Sequence, residues 1–253
     1  PQVSFKSHDG GDFEPLTGGL MPTALVTGAS LGLGRALAIA LAERGWSLVV
    51  DARHPDPLAA VADRLVRAGA AAVRPVPGDV ADAGHRAVLA TVADDIGGLD
   101  LLVNNASTLG ASPQPAVADW AVTDFARVYG VNVFGPLALT QLVLPGLRTR
   151  QGRIVNVSSD AAVEPYEGWG AYGSSKAALD HLTAILAAEE PSLRVYAVDP
   201  GDMRTQLHQD AFPGEDISDR AEPETVVPAL LRLVEGDLPS GRYRASELTP
   251  VAA

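Results

Sequence analysis

The chain has 253 residues, 47% of them apolar, enough to bury a continuous core and to exclude disorder as the main state. It contains no cysteine, which excludes a disulfide scaffold, a thiolate metal site and a cysteine nucleophile and leaves catalysis to oxygen and nitrogen groups. With 19 basic and 31 acidic residues the formal charge is −12, a field that repels nucleic acid and anionic lipid surfaces.

Residues 1–20 carry Asp9, Asp12 and Glu14 but no arginine, unlike a secretory or organellar targeting segment, and are expected to form a mobile leader. From Met21, short aliphatic and β-branched runs alternate with longer helical patterns, as a parallel sheet with crossover helices requires. The runs predict strands at 24–27, 47–52, 72–77, 99–104, 153–158 and 193–199, with a short one near Arg242. Helices are predicted at 33–44, 58–67, 85–96, 120–147 with a break near Gly130, 172–189 and 224–235. In the first, Leu37, Ala40 and Leu41 make the apolar stripe and Gly45 ends it. The uncharged stretch 129–147 has roughly the length of a bilayer span. Asn132, Gly135-Pro136, Thr140, Gln141 and Pro145-Gly146 interrupt it, so it reads as a buried helix instead. The arginines between Arg148 and Arg153 are expected on a solvated turn. No linker or repeat divides the chain, and residues 21–253 are expected to be one α/β domain: a doubly wound parallel sheet with helices on both faces, a Rossmann fold.

Directly after the first predicted strand comes Thr27-Gly28-Ala29-Ser30-Leu31-Gly32-Leu33-Gly34, which leads straight into a helix. A helix N-terminus offers unpaired N–H groups and partial positive charge, and glycines admit a pyrophosphate close to the backbone. A tight turn with no ligand is the plainer alternative. The Gly-x-x-x-Gly-x-Gly spacing resembles the short-chain dehydrogenase/reductase family, and the likeness runs from Met21 to about Thr205. It implies a nicotinamide dinucleotide held by Gly28, Ser30, Leu31, Gly32, Leu33 and Gly34. It also implies that Asp79 and Val80, in Gly78-Asp79-Val80, hold the adenine. Asn104-Asn105-Ala106-Ser107 matches the family's Asn-Asn-Ala-Gly, which places Asn105, Ala106 and Ser107 at the cofactor. Ser107 departs from the usual glycine: its side chain either narrows the approach to the cofactor or adds a hydroxyl near the substrate.

Tyr172 and Lys176 stand four residues apart on a predicted helix, hence on one face. A phenol of pKa about 10 is a poor base at neutral pH unless a cation favours its phenolate, and Lys176 supplies one. Chance pairing on a surface helix is the alternative, but Lys6 and Lys176 are the chain's two lysines while arginine fills every other basic position, which argues that a compact ammonium is needed here. The resemblance implies that Ser159, thirteen residues before Tyr172, binds the substrate oxygen, and that Asn132 holds a water connecting Lys176 to solvent. Asn132 could equally be an asparagine that kinks a buried helix.

At the end of the second predicted strand, Asp51 could meet the ribose 2′-hydroxyl of NAD. Counting on the family pattern instead puts Ala52 at the discriminating position with Arg53 beside it, which favours NADP, NAD being the alternative. Pro200, Gly201, Met203 and Thr205 resemble the family's contacts to the nicotinamide, which Tyr172 and Lys176 also meet. The polar segment 206–223 is expected as a lid or solvated loop, and Glu164, Tyr166, Glu167 and Trp169 as pocket walls. The expected reaction is reversible hydride transfer between nicotinamide and a small-molecule carbonyl or secondary alcohol, with no metal. A non-catalytic nucleotide sensor is the alternative from another class, disfavoured because a sensor has no need of a proton donor. A cytoplasmic homodimer or homotetramer with no nucleic-acid or membrane partner completes the expectation.

Overall fold

The structure, a computed structural model, describes residues 21–248; the leader expected at 1–20 lies outside the described residues. The aliphatic runs become strands β1 (Thr23–Val26), β2 (Ser47–Ala52), β3 (Ala72–Pro77), β4 (Leu101–Asn104), β5 (Arg153–Val157), β6 (Arg194–Asp199) and β7 (Gly241–Arg244). They pair in the order β3-β2-β1-β4-β5-β6-β7, parallel throughout. β1, β2, β4 and β5 are buried on both faces, which is why they read as unbroken apolar runs. β3 lies at the edge and is more exposed, and there it tolerates Pro75 and Pro77.

Helices α1 (Gly32–Ala42), α2 (Pro55–Ala68), α3 (Ala83–Asp95), α4 (Val122–Tyr129), α5 (Gly135–Arg150), α6 (Gly170–Glu189), α7 (Gln206–Ala211) and α8 (Val227–Glu235) cover the sheet. Side chains alternate along each strand, so Val26, Leu48, Val103, Val155 and Val198 share one core with α1 and α8. Leu25, Val49, Leu102, Ile154 and Val195 share the other with Leu89 of α3 and Leu139, Val143 and Leu147 of α5. A third, small cluster joins Leu109, Ala161 and Tyr172 beneath Leu207 and Ala211 of α7.

Three expectations change. The helix expected at 120–147 has its expected break near Gly130, a π-helical turn at Gly130–Phe134 between α4 and α5, but it is not buried all round. One face of it is buried while Phe134 and Leu142 are exposed, so it is a core helix on one side only. Segment 206–223 contains α7, begun by Thr205, whose hydroxyl accepts the His208 N–H at 3.2 Å. The arginines of 148–153 are not a solvated turn: Arg148 pairs with Glu190 and Arg150 with Asp100. Arg153 is buried and donates to the carbonyls of Leu233 and Val234 at the end of α8. Carbonyls in a helix's last turn lack intrahelical donors, and a buried guanidinium meets that need.

Candidate active site

The strand order reverses between β1 and β4, and a cleft of about 660 Å³ lies at their C-terminal ends. At one end lies the turn between β1 and α1. Gly28 (φ +65°) and Gly32 (φ +54°) take left-handed backbone that disfavours any other residue. A Cβ on Gly28 would stand 2.9 Å from the Cα of Ala106. Side chains around the turn are consumed in holding its backbone. The Thr27 hydroxyl accepts N–H groups of Asn105 and Ala106, both at 3.0 Å, and the Asn105 amide donates to the carbonyls of Thr27 and Gly28 at 2.8 and 3.1 Å. Asp51 accepts the Gly28 N–H at 2.8 Å through one oxygen and meets His85 Nε2 at 3.0 Å through the other. Burial pushes its carboxyl above the ordinary carboxylate range, opposed by the His85 and Gly28 hydrogen bonds.

At the other end, β5 and α6 bring Ser159, Tyr172 and Lys176 together. Lys176 is buried, with Nζ 5.5 Å from the Tyr172 ring centre and donating to the Val157 carbonyl at 2.7 Å. Burial lowers its pKa to about 8, opposed by Asp180 one turn along. Burial also raises the Tyr172 phenol above its ordinary value, while hydrogen bonds from Ser159 and Ser107 pull it down. Ser159 Oγ donates to Asp160 Oδ1 at 2.9 Å, and Asp160 Oδ2 accepts the Tyr166 hydroxyl at 2.8 Å. Arg242 of β7 ties the Ser159 carbonyl (3.0 Å) to Asp180 (2.8 Å). Neighbouring Ser158 Oγ is buried without a hydrogen-bond partner among the described residues.

Asn132 sits fully buried in the π-helical turn, so the kink and the polar site coincide. Its carbonyl oxygen accepts from Ser107 Oγ (3.2 Å) and the Thr108 N–H (2.9 Å). Its amide donates to the Thr108 carbonyl (2.9 Å) and Ser175 Oγ (3.0 Å).

A family model for short chain dehydrogenase matches residues 22–216. The chain belongs to the short-chain dehydrogenase/reductase family. Sepiapterin reductase of Meriones unguiculatus is 36% identical over 206 residues, 76% of this chain and 79% of that protein. The 11-beta-hydroxysteroid dehydrogenase A of Sesamum indicum is 34% identical over 200 residues, 78% of this chain, and the match spans 57% of that protein's length. Among solved structures, an alcohol dehydrogenase from the archaeon Thermococcus sibiricus, complexed with 5-hydroxy-NADP, superposes with a TM-score of 0.79 at 26% identity. That match covers 88% of this chain and 95% of that one.

Of the catalytic and cofactor-binding residues singled out in the sequence of this short-chain dehydrogenase/reductase, all but Gly34 and Asn132 line the cleft. Gly34 lies under it, where a Cβ would fall 2.5 Å from the Gly28 carbonyl oxygen, and Asn132 stands behind Ser107. The cleft fits a dinucleotide on its own geometry. The N-cap of α1 is Leu31, which offers no side-chain acceptor, so the first-turn N–H groups have no capping partner and face the cleft. Thr205 Cγ2 closes over Gly32, 3.3 Å from where a Cβ would stand. Arg53, exposed, lines the cleft beside Asp79 and Val80.

The expected wall needs correction. Of Glu164, Tyr166, Glu167 and Trp169, only Trp169 lines the cleft; the other three are exposed, and Tyr166 instead holds Asp160. Trp169 meets the Tyr172 ring edge-on at 5.6 Å and Phe212 at 5.9 Å. His85, Arg242 and Asp160 went unnoticed in the sequence. Asp82 is the one local hint for His85, since its carboxylate accepts the His85 N–H at 2.7 Å and starts α3 there.

Proposed function

We propose that this oxidoreductase interconverts a small-molecule carbonyl and its secondary alcohol with NADP(H) as cofactor. The observation that carries this reading is one cleft lined at one end by an uncapped helix N-terminus and at the other by Ser159, Tyr172 and Lys176. The bound nicotinamide supplies or accepts the hydride. The turn from Gly28 to Gly34 would hold its pyrophosphate, Asp79 and Val80 its adenine, and Pro200, Gly201, Met203 and Thr205 its nicotinamide end.

Tyr172 gives its proton to the carbonyl oxygen in reduction and takes it back in oxidation. Ser159, anchored through Arg242 and Asp160, fixes the substrate oxygen against that phenol. Lys176 carries its charge below a pH of about 8, which favours the phenolate when it forms. Asn132 ties the loop that carries Ser107 and Thr108, through three side-chain hydrogen bonds, to Ser175 of α6, through a fourth. Trp169, Leu109, Leu207 and Ala211 make the substrate side apolar, which favours a hydrophobic ketone or aldehyde over a sugar.

NADP is favoured over NAD because both Asp51 oxygens are engaged by Gly28 and His85, while Ala52 and the free-standing Arg53 suit a 2′-phosphate. The exposed apolar side chains Phe134, Leu137 and Leu142 of the α5 region and Ile185 of α6 favour a homodimer or homotetramer, which light scattering at micromolar concentration checks. Oxidation of NADPH and NADH in the presence of a panel of aromatic and aliphatic ketones tests the function. Turnover with NADPH is expected; binding of NADPH without turnover of any carbonyl would instead favour a nucleotide sensor.

A further inference from the structure

Asp51 stands beside Ala52 at the end of β2 and lines the cleft together with Ala52 and Arg53. A carboxylate turned toward an adenosine ribose accepts the 2′-hydroxyl of NADH and repels the 2′-phosphate of NADPH. The structure engages this one elsewhere: Oδ1 accepts the Gly28 N–H at 2.8 Å, Oδ2 stands 3.0 Å from His85 Nε2, and the side chain is 1% exposed. The first partner is backbone. The second is a side chain of α3, and the segment between the two makes room for it. A Cβ on Gly78 would stand 2.6 Å from His85 Cε1, so any side chain there would push the imidazole off its path to Asp51. The start of α3 is fixed as well: Asp82 accepts the His85 N–H at 2.7 Å, and Arg86 donates to the Val80 carbonyl at 2.6 Å. Against an ionised carboxylate, Nε2 must carry the hydrogen. His85 is therefore a donor held on Asp51 by a residue that does not itself line the cleft.

We propose that His85 is a positioning residue for cofactor choice: its Nε2–H keeps the Asp51 carboxylate turned onto Gly28, and NADP(H) is accepted because that carboxylate is occupied. This rests on the reading of the Gly28 end of the cleft as the cofactor site. Without the imidazole, Oδ2 is a buried carboxylate oxygen that has lost a donor, which costs more than the hydrogen bond itself contributed. Because Asp51 lines the cleft, a replacement donor reaches it from that side, as water or as a ribose hydroxyl. A carboxylate drawn to the cleft selects NADH over NADPH. His85 thus acts on the cofactor through Asp51 alone, across 34 residues of sequence.

The test is the ratio of the NADPH and NADH dissociation constants, both measured by calorimetry on the same protein, so that a general loosening of the fold cancels. His85→Asn is too short to place a donor at Asp51, and it should shift the ratio toward NADH by about tenfold. His85→Leu, which has no donor at all, should shift it the same way and serves if the first variant does not fold. His85→Gln sets an amide N–H near the place of Nε2 and should return the ratio toward the wild-type value. In Asp51→Asn protein no carboxylate is left to turn, so adding His85→Asn should leave the ratio where it is. A ratio unmoved by His85→Asn and His85→Leu, or moved equally with and without the Asp51 carboxylate, overturns the proposal, because a residue that only braces α3 weakens both cofactors together. If the wild type prefers NADH, the NADP reading fails, and the change in ratio between wild type and His85→Asn still decides what His85 does. Wild-type protein that binds neither cofactor sinks both.

Discussion

The two ends of the cleft are built by opposite means. The end proposed to hold the phosphates is made of backbone: left-handed glycines and first-turn N–H groups, with Thr27, Asp51 and Asn105 spending their side chains on holding the chain in place. The end proposed for proton transfer is made of side chains from separate elements, Ser107 after β4, Asn132 in the π-helical turn, Ser159 after β5, and Tyr172 and Lys176 on α6. At the first end shape is the function, so a substitution acts on folding and binding together. At the second, burial sets the charges, so a substitution there acts on rate and pH dependence while the fold stands.

The largest contrast comes from one substitution at each end. Tyr172→Phe removes the proposed proton donor and leaves the ring in its cluster with Trp169 and Leu109, so kcat should fall by about 10²- to 10⁴-fold while NADPH affinity by calorimetry stays near wild type. Gly34→Ala should do the reverse. Its Cβ would fall 2.4 Å from Asn105 Nδ2 and 2.5 Å from the Gly28 carbonyl oxygen. The clamp must then open, at a cost of about 1–3 kcal/mol. Thermal unfolding and NADPH titration should both show the loss. Full turnover in Tyr172→Phe, or unchanged melting and affinity in Gly34→Ala, would remove the division between the two ends.

The same division explains what was legible in the sequence. The turn from Gly28 to Gly34 is readable because its residues are contiguous and their spacing is a backbone requirement; β2 is readable because a buried parallel strand is a largely apolar run, whereas β3, at the exposed edge, carries Arg74, Pro75 and Pro77 and is marked only by Val73 and Val76. Tyr172 and Lys176 were readable because one helical turn joins them. What failed depended on contacts between distant segments. Arg153 looked solvated because no local pattern reveals that α8 ends against it, 80 residues later. His85 reaches Asp51 across 34 residues, and Arg242 reaches Ser159 across 83. The walls around Glu164 to Glu167 were misplaced because proximity in the chain to Ser159 and Tyr172 was taken for proximity in space, whereas that segment turns outward.

Lys176 gives a test of the burial argument that needs no substrate. Its folded pKa is lowered to about 8 from the model-compound 10.5 by burial. Between those values the unfolded chain binds the proton that the folded chain has released, so stability of the cofactor-free protein rises with pH across that window. The slope is at most about 1.4 kcal/mol per pH unit. Tyr172 acts in the other direction: its phenol is raised by burial, so above about pH 10 the unfolded chain loses a proton that the folded chain keeps, and stability falls. Denaturant titrations should therefore show a rise from about pH 8 to 10, on the order of 2 kcal/mol, that Lys176→Met flattens. An identical profile in the variant would mean that the ammonium is not held in a low-dielectric site.

The smallest effect is expected at Arg53, the side chain to which the proposed function gives the choice of cofactor. It is exposed and stands next to Ala52, where an acidic side chain would repel a 2′-phosphate, and its guanidinium lines the cleft. A hydrogen-bonded pair between charged groups is worth about 1.5–3 kcal/mol when shielded, and exposure to solvent brings it toward the lower figure. Arg53→Ala should then weaken NADPH by about tenfold and leave NADH unchanged, since NADH presents only a 2′-hydroxyl. Added salt should narrow the difference in the wild type, because an exposed pair is screened within about 10 Å at 0.1 M, and should do nothing to the variant. If both cofactors weaken together, Arg53 supports the loop rather than reading the phosphate. If neither weakens, selection at this end lies in the backbone as well.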